Sequence, residues 1–144
     1  MITVAPSLIF KRGQCNQAIE FYQKAFDAEV VLKMLFSDAD PKDFQFKDEE
    51  KDLIYHCQLM IGEQIFLLTD DANNVLKEDT QPSILMSLCM TFESADEVNA
   101  AYKSLSNGAT IVTPICSTTY CSCYVLLVDK FGMQWELMTD QAER

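Results

Sequence analysis

The stretch GEQIFLLTD, residues 62–70, returns near the C-terminus as GMQWELMTD, residues 132–140. Gly62, Gln64, Leu67, Thr69 and Asp70 recur as Gly132, Gln134, Leu137, Thr139 and Asp140, five identities in nine positions at an offset of 70. That offset is about half of the 144 residues, so the chain reads as two copies of one unit. The same offset sets Phe66 opposite Glu136.

Working outward from each copy gives the same order of elements. Ahead of the first, TVAPSLIF (3–10) is apolar enough for a strand ended by Gly13. CNQAIEFYQKAF (15–26) then puts Ala18, Phe21, Tyr22, Ala25 and Phe26 at helical spacing, with Asn16 as its cap. AEVVLKMLF (28–36) reads as a strand. SDADPKDFQFKDEEKD (37–52), with seven acids, three lysines and a proline, reads as a solvated loop whose Phe44 and Phe46 should pack over something. LIYHCQLMI (53–61) and QIFLLTD (64–70) form a hairpin turning at Gly62-Glu63. In the second half ILMSLCMTF (84–92) is a strand, and SADEVNAAYKSLSNG (94–108) is a helix opened by a Ser94–Glu97 capping box and stopped by Asn107-Gly108. Val98, Ala101, Tyr102 and Leu105 form its buried face. ATIVTP (109–114) is a short strand, and CYVLLVD (123–129) with MQWELMT (133–139) makes the last hairpin around Lys130-Phe131-Gly132. The expectation is an α+β fold of two tandem βαβββ modules in a single domain, residues 1–144: module 1 (1–71), linker 72–82 and module 2 (83–140).

Composition narrows the function. A content of 49% hydrophobic and 23% charged residues suits a globular protein with a core. A net charge of −11 repels a nucleic-acid backbone and an anionic membrane surface, so neither is expected as a partner. No apolar run reaches the ~20 residues of a bilayer span, and MITVAPSLIFKRG lacks a basic region ahead of its apolar stretch. A cytoplasmic protein with reduced thiols is expected, its six cysteines (Cys15, Cys57, Cys89, Cys116, Cys121 and Cys123) being mostly small buried residues. Cys121 and Cys123, two apart, would share a strand face and could join His56 or Cys116 in half a metal site. No glycine-rich turn offers a seat for a nucleotide or S-adenosyl cofactor.

The helix stretch AIEFYQKAFDAE (18–29), the strands IYHCQLMIGEQIFLLTD (54–70) and above all DKFGMQWEL (129–137) resemble the PhnB-like branch of the vicinal-oxygen-chelate superfamily, with its glyoxalase I and its fosfomycin- and bleomycin-resistance proteins. The resemblance covers nearly the whole chain. It implies paired βαβββ modules, each sheet curled into a cup with the ligand site in its concavity, and a homodimer. In metal-using members the resemblance implies ligands from the first and fourth strands of each module, here Ala5, Phe66, Ser87 and Glu136. Alanine and phenylalanine cannot bind a metal and a serine hydroxyl binds poorly, so only Glu136 survives. Where the family usually has Trp-Gly before the last hairpin, this chain has Tyr120-Cys121, leaving Tyr120 or Tyr124 to stack on a planar ligand.

Strand alternation assigns the faces. With a turn at Gly62-Glu63, Leu59 opposes Phe66, and Tyr55, Cys57, Leu59, Phe66 and Leu68 share the cup face while His56 and Gln58 turn to the helices. Glu136 shares the cup with Gln134 and Met138, and Trp135 and Leu137 turn to the core. The expected cup lining is Ser7, Ile9, Phe66, Leu68, Ser87, Cys89, Thr91, Gln134, Glu136 and Met138, with Tyr120 at its rim. Such a mixture of apolar bulk and a few polar groups suits a small-molecule pocket. Two functions follow. The first is a metal-independent protein that sequesters a small molecule, Glu136 pairing with a donor or cation on it. The second is a glyoxalase-type lyase, transferase or isomerase using a divalent metal (Zn, Mn, Ni or Fe) held by Glu136 and His56, the one histidine and the ready general base.

Overall fold

A computed structural model describes residues 1–81 and 85–140. The first compact unit, Met1–Glu78, runs β1 (Ser7–Phe10), α1 (Cys15–Phe26), β2 (Glu29–Leu35), β3 (Ile54–Ile61) and β4 (Gln64–Asp70). The second, Asp79–Arg144, runs β5 (Leu88–Phe92), α2 (Ala95–Leu105), β6 (Thr110–Cys116), β7 (Tyr124–Val128) and β8 (Gln134–Thr139). Each holds a four-stranded mixed sheet, ordered β1-β4-β3-β2 and β5-β8-β7-β6, with the outer strand β1 or β5 parallel to β4 or β8. The fold is therefore α+β, built from two βαβββ modules. No helix among the described residues is long and apolar enough to cross a membrane.

Most elements form where periodicity puts them. α1 spans Cys15–Phe26 and buries Cys15, Ala18, Ile19 and Tyr22, but its N-cap is Gln14, not Asn16, and no side chain caps it. In α2 the Ser94 Oγ accepts the Glu97 N–H, as its sequence requires. The β3–β4 hairpin pairs Ile61 with Gln64 and Leu59 with Phe66 around Gly62, whose φ of +58° a glycine adopts without strain. Two strands are shorter than their apolar stretches: β1 begins at Ser7 and β5 at Leu88, while Ile84 lies outside the described residues. Cys121 and Cys123 precede β7 and share no strand.

The core of each module lies between its sheet and its helix. In module 1, Leu8, Phe10, Leu59, Ile61, Phe66 and Leu68 are buried on the same side as Ala18, Ile19 and Tyr22, with the Phe10 and Tyr22 rings 6.4 Å apart. In module 2, Val125, Leu127, Trp135 and Leu137 lie wholly buried with Val98, Ala101 and Leu105 of α2. One buried polar side chain ties each module together. Asp70 accepts the N–H groups of Gly13, Cys15 and Ile54 at 2.9, 3.1 and 2.7 Å, and Thr139 accepts those of Ser122 and Cys123 at 3.1 and 3.2 Å. Burial raises the Asp70 pKa, against which these N–H groups pull it down.

These pairs correct the register of the internal repeat. Phe10 pairs with Asp70 and Phe92 with Thr139, and the N–H groups of Asp71 and Asp140 donate to the carbonyls of Phe10 and Phe92. Asp70 and Thr139 are thus equivalent, an offset of 69, whereas the sequence identities run at 70. Glu136 accordingly matches Leu67, not Phe66, and Trp135 matches Phe66. One residue of slip exchanges the two faces of a strand.

Candidate ligand site

On β8 the sequence QWELM alternates, so Trp135 and Leu137 go to the helix and Gln134, Glu136 and Met138 to the open face. Beside Glu136 and Met138 stand Cys89 and Thr91 of β5 and Leu126 and Tyr124 of β7. The Tyr124 hydroxyl reaches diagonally and donates to Glu136 Oε1 at 2.6 Å, a short, charge-assisted bond. Tyr124 packs with Cys121 and Met138 in a buried cluster. Burial, and then the carboxylate it serves, push the phenol's pKa well above the ordinary tyrosine value. No lysine or arginine among the described residues pairs with Glu136. Gln134 Nε2 donates to Ser87 Oγ, and the half-exposed Tyr120 ring meets Tyr124 edge-on at 6.3 Å. This face therefore offers a carboxylate with one oxygen fixed, set among sulfur, aromatic and aliphatic groups.

The open face of module 1 carries a different set. Ile9, Met34, Tyr55, His56, Thr69, Asp71, Ala72, Asn73 and Val75 line an open cavity of about 380 Å³. An irregularity in the β2–β3 register, where Met34 pairs with His56 and Leu35 with Ile54, lets both Tyr55 and His56 reach it. Thr69 Oγ1 donates to the Tyr55 carbonyl at 2.9 Å, and the Asp71 carboxylate accepts the N–H groups of Val75 and Leu76, each at 2.9 Å. Phe44 of the acidic loop stacks on Tyr55 at 5.3 Å, while Phe46 stays partly exposed. The loop is further pinned by Glu50, which accepts from Arg12 Nη1 at 2.7 Å; this guanidinium lowers the Glu50 pKa.

Two assignments from alternation are overturned here. Phe66 and Leu68 are 5% and 1% exposed and belong to the helix-packed core, with Cys57 and Leu59, so none of the four lines the open face. His56 and Gln58 occupy that face instead, their Nε2 atoms 3.4 Å apart. The pairing of Leu59 with Phe66 was legible, but the segment IFLL is apolar on both faces, and only the position of α1 decides which side is the core. Ser7, Ile9, Cys89, Thr91, Gln134, Glu136 and Met138 do keep to the open faces of their own sheets, while Ser87 lies ahead of β5 and accepts from Gln134. The Tyr124–Glu136 bond was missed, although a hairpin pairing Leu126 with Glu136 puts Tyr124 one diagonal step away.

A three-ligand metal centre does not fit these residues. Among the described residues no three His, Cys, Asp or Glu side chains gather around a point that could hold an ion. Glu136 brings one carboxylate, already engaged by Tyr124, and its equivalent in module 1 is Leu67.

The sequence pattern of the family described as 3-demethylubiquinone-9 3-methyltransferase matches residues 2–138. The chain belongs to that family. Solved structures agree in fold. A putative 3-demethylubiquinone-9 3-methyltransferase, PhnB protein, from Bacillus cereus is 22% identical, with 96% of this chain and 99% of that one covered and a TM-score of 0.76. Protein PA1353 from Pseudomonas aeruginosa is 21% identical, with 97% and 98% covered and a TM-score of 0.81. The genomically encoded fosfomycin resistance protein FosX from Listeria monocytogenes is 15% identical, with 96% and 94% covered and a TM-score of 0.61. The fold of this family member is thus that of the vicinal-oxygen-chelate superfamily. No curated protein matches it by sequence.

Proposed function

We propose that this PhnB-like chain is a metal-independent small-molecule-binding protein whose ligand sits on the open face of the second sheet and presents a cation or strong hydrogen-bond donor to Glu136. The observation that carries this reading is the Tyr124–Glu136 pair: the hydroxyl fixes one carboxylate oxygen at 2.6 Å, and no cation of the described chain neutralises the charge. A fixed carboxylate beside Leu126, Met138 and Tyr124, with no cation partner among the described residues, suits a ligand with a positive or donating group on an apolar body. Tyr120, edge-on to Tyr124, adds an aromatic edge for a planar ligand. The protein acts in the cytoplasm as a homodimer on this reading, supported by the exposed Val31 and Leu32 of β2 and Val112 and Ile115 of β6.

The metal-dependent alternative built on Glu136 and His56 lacks support from the donor set described above, nor does the family's description bring a methyl-donor site with it, since both helices open without a glycine-rich turn. The test is thermal stabilisation by a panel of organic amines and amidines, each run beside its neutral isostere. Cationic members should stabilise the wild-type protein and leave Glu136→Gln unmoved. Equal stabilisation by the neutral isosteres, or an undiminished response in Glu136→Gln, would remove Glu136 from the site. Near-stoichiometric zinc, manganese, nickel or iron in protein purified without chelator would favour the enzyme reading instead.

A further inference from the structure

The turn that stops α2 holds a reactive pair of residues. Of the asparagines Asn16, Asn73, Asn74, Asn99 and Asn107, only Asn107 precedes a glycine. Asn107 and Gly108 are both exposed. Across them the Ala109 N–H donates to the Ser106 carbonyl at 3.1 Å, and Gly108 has a φ of +77° while that of Asn107 is negative, the signs of a type II turn. Among the described residues no hydrogen bond engages the Gly108 N–H or the Asn107 carboxamide.

We propose that Asn107 is a site of spontaneous covalent modification, its carboxamide converting to aspartate and isoaspartate through a cyclic imide closed by the Gly108 nitrogen. That nitrogen attacks Asn107 Cγ: the N–Cγ bond forms, the Cγ–Nδ2 bond breaks, and the Gly108 amide proton leaves on the departing ammonia. Water then opens the ring at either carbonyl. Opening at Cγ gives aspartate, and opening at the backbone carbonyl carries the chain through the side chain and gives isoaspartate. Water is taken up and ammonia released, with no oxidant, reductant or further reactant.

Gly108 favours this closure because it has no Cβ to bar Asn107 Cγ from its nitrogen, and that nitrogen is held by no hydrogen bond. The other asparagines lack one condition or both. Asn74 precedes Val75, a β-branched residue whose N–H is held by Asp71 at 2.9 Å. Asn16 and Asn99 lie inside α1 and α2, whose fixed backbone keeps the next nitrogen from turning toward the side chain, and Asn99 Nδ2 donates to the Ala95 carbonyl at 2.8 Å. Asn73 precedes Asn74, whose side chain narrows the approach. The fold also keeps the pair in place, since a Cβ at Gly108 would stand 3.0 Å from Lys130 Cβ on a backbone that side chains rarely adopt. The product sets a carboxylate just past the C-terminal end of α2, where the helix dipole is negative, in a chain already at −11. None of this depends on what binds at Glu136.

The experiment incubates the full chain at mildly alkaline pH, folded and in parallel unfolded in guanidinium, and follows the tryptic peptide 104–130 by mass spectrometry with fragmentation that separates aspartate from isoaspartate. In the folded protein position 107 should convert roughly tenfold faster or more than Asn16, Asn73, Asn74 or Asn99, because the open path at glycine lowers this barrier alone. A more acidic species should grow in isoelectric focusing at the same rate. Asn107→Gln, whose longer side chain closes a ring less readily, should abolish that species while melting as wild type does. Conversion of position 107 in guanidinium but not in the folded chain would overturn the proposal, since the turn would then protect the pair. So would equal rates at Asn73 or Asn74, or an acidic species undiminished in Asn107→Gln.

Discussion

The two modules share one backbone and fill its equivalent positions with opposite chemistry. At the end of the fourth strand, module 1 buries a carboxylate, Asp70, where module 2 buries a hydroxyl, Thr139; each gathers backbone N–H groups from the start of the third strand. On the open face the distribution reverses. Glu136 of module 2 has Leu67 as its counterpart, and Tyr124, which holds Glu136, stands where module 1 has His56. At these two positions module 1 has its carboxylate in the scaffold, and module 2 has it on the open face. A duplicated fold can thus keep its geometry while the side chains at equivalent positions change, because the scaffold needs an acceptor at the strand end that either a carboxylate or a hydroxyl supplies.

The sharpest way to break this comparison is to test the register of 69 on which it rests. Phe66→Glu should cost about 4 kcal/mol or more, because it buries a carboxylate between sheet and helix, whereas Leu67→Glu should cost about 1 kcal/mol or less. Urea unfolding of both variants decides it, and equal losses would return the repeat to its offset of 70.

Next in size is the pair of strand-end acceptors. Asp70→Ala orphans three N–H groups and should lose about 3 kcal/mol; Thr139→Val orphans two and should lose about half as much. A Thr139→Val loss as large as that of Asp70→Ala would mean that charge adds nothing at this position.

Tyr124→Phe removes one hydrogen bond to a partly solvated carboxylate and should cost about 1 kcal/mol. Its pH dependence is more informative. The folded pKa of Tyr124 is raised above its ordinary value of 10.0, so the neutral phenol's contribution is fully present below that value and is lost as pH rises through the folded one. Melting temperature above pH 10 should therefore fall more steeply in wild type than in Tyr124→Phe, and parallel profiles would contradict the burial of this hydroxyl.

The smallest effect belongs to the counterpart of Tyr124. His56→Ala, on the open face, should change stability by about 0.5 kcal/mol or less, where a core histidine would cost several times as much. A large loss would put His56 back against α1.

Much of this protein was legible in its residues. The spacing of Ala18, Tyr22 and Ala25 gave α1, Ser94 with Glu97 gave the start of α2, and Gly62 fixed the pairing of Ile61 with Gln64, all because these signals act within a few residues of themselves. The face of β8 was legible too, since QWELM alternates polar and apolar side chains. β4 gave no such sign. Its IFLL is apolar on both sides, and the matching phrase at an offset of 70 suggested an alignment that is one residue out. Local sequence settled which segments become helix and strand, because propensity and turn chemistry are local. Only the tertiary structure decided which face of the first sheet meets α1, and hence that His56 is open and Phe66 buried, because that choice depends on where a helix distant in sequence comes to pack.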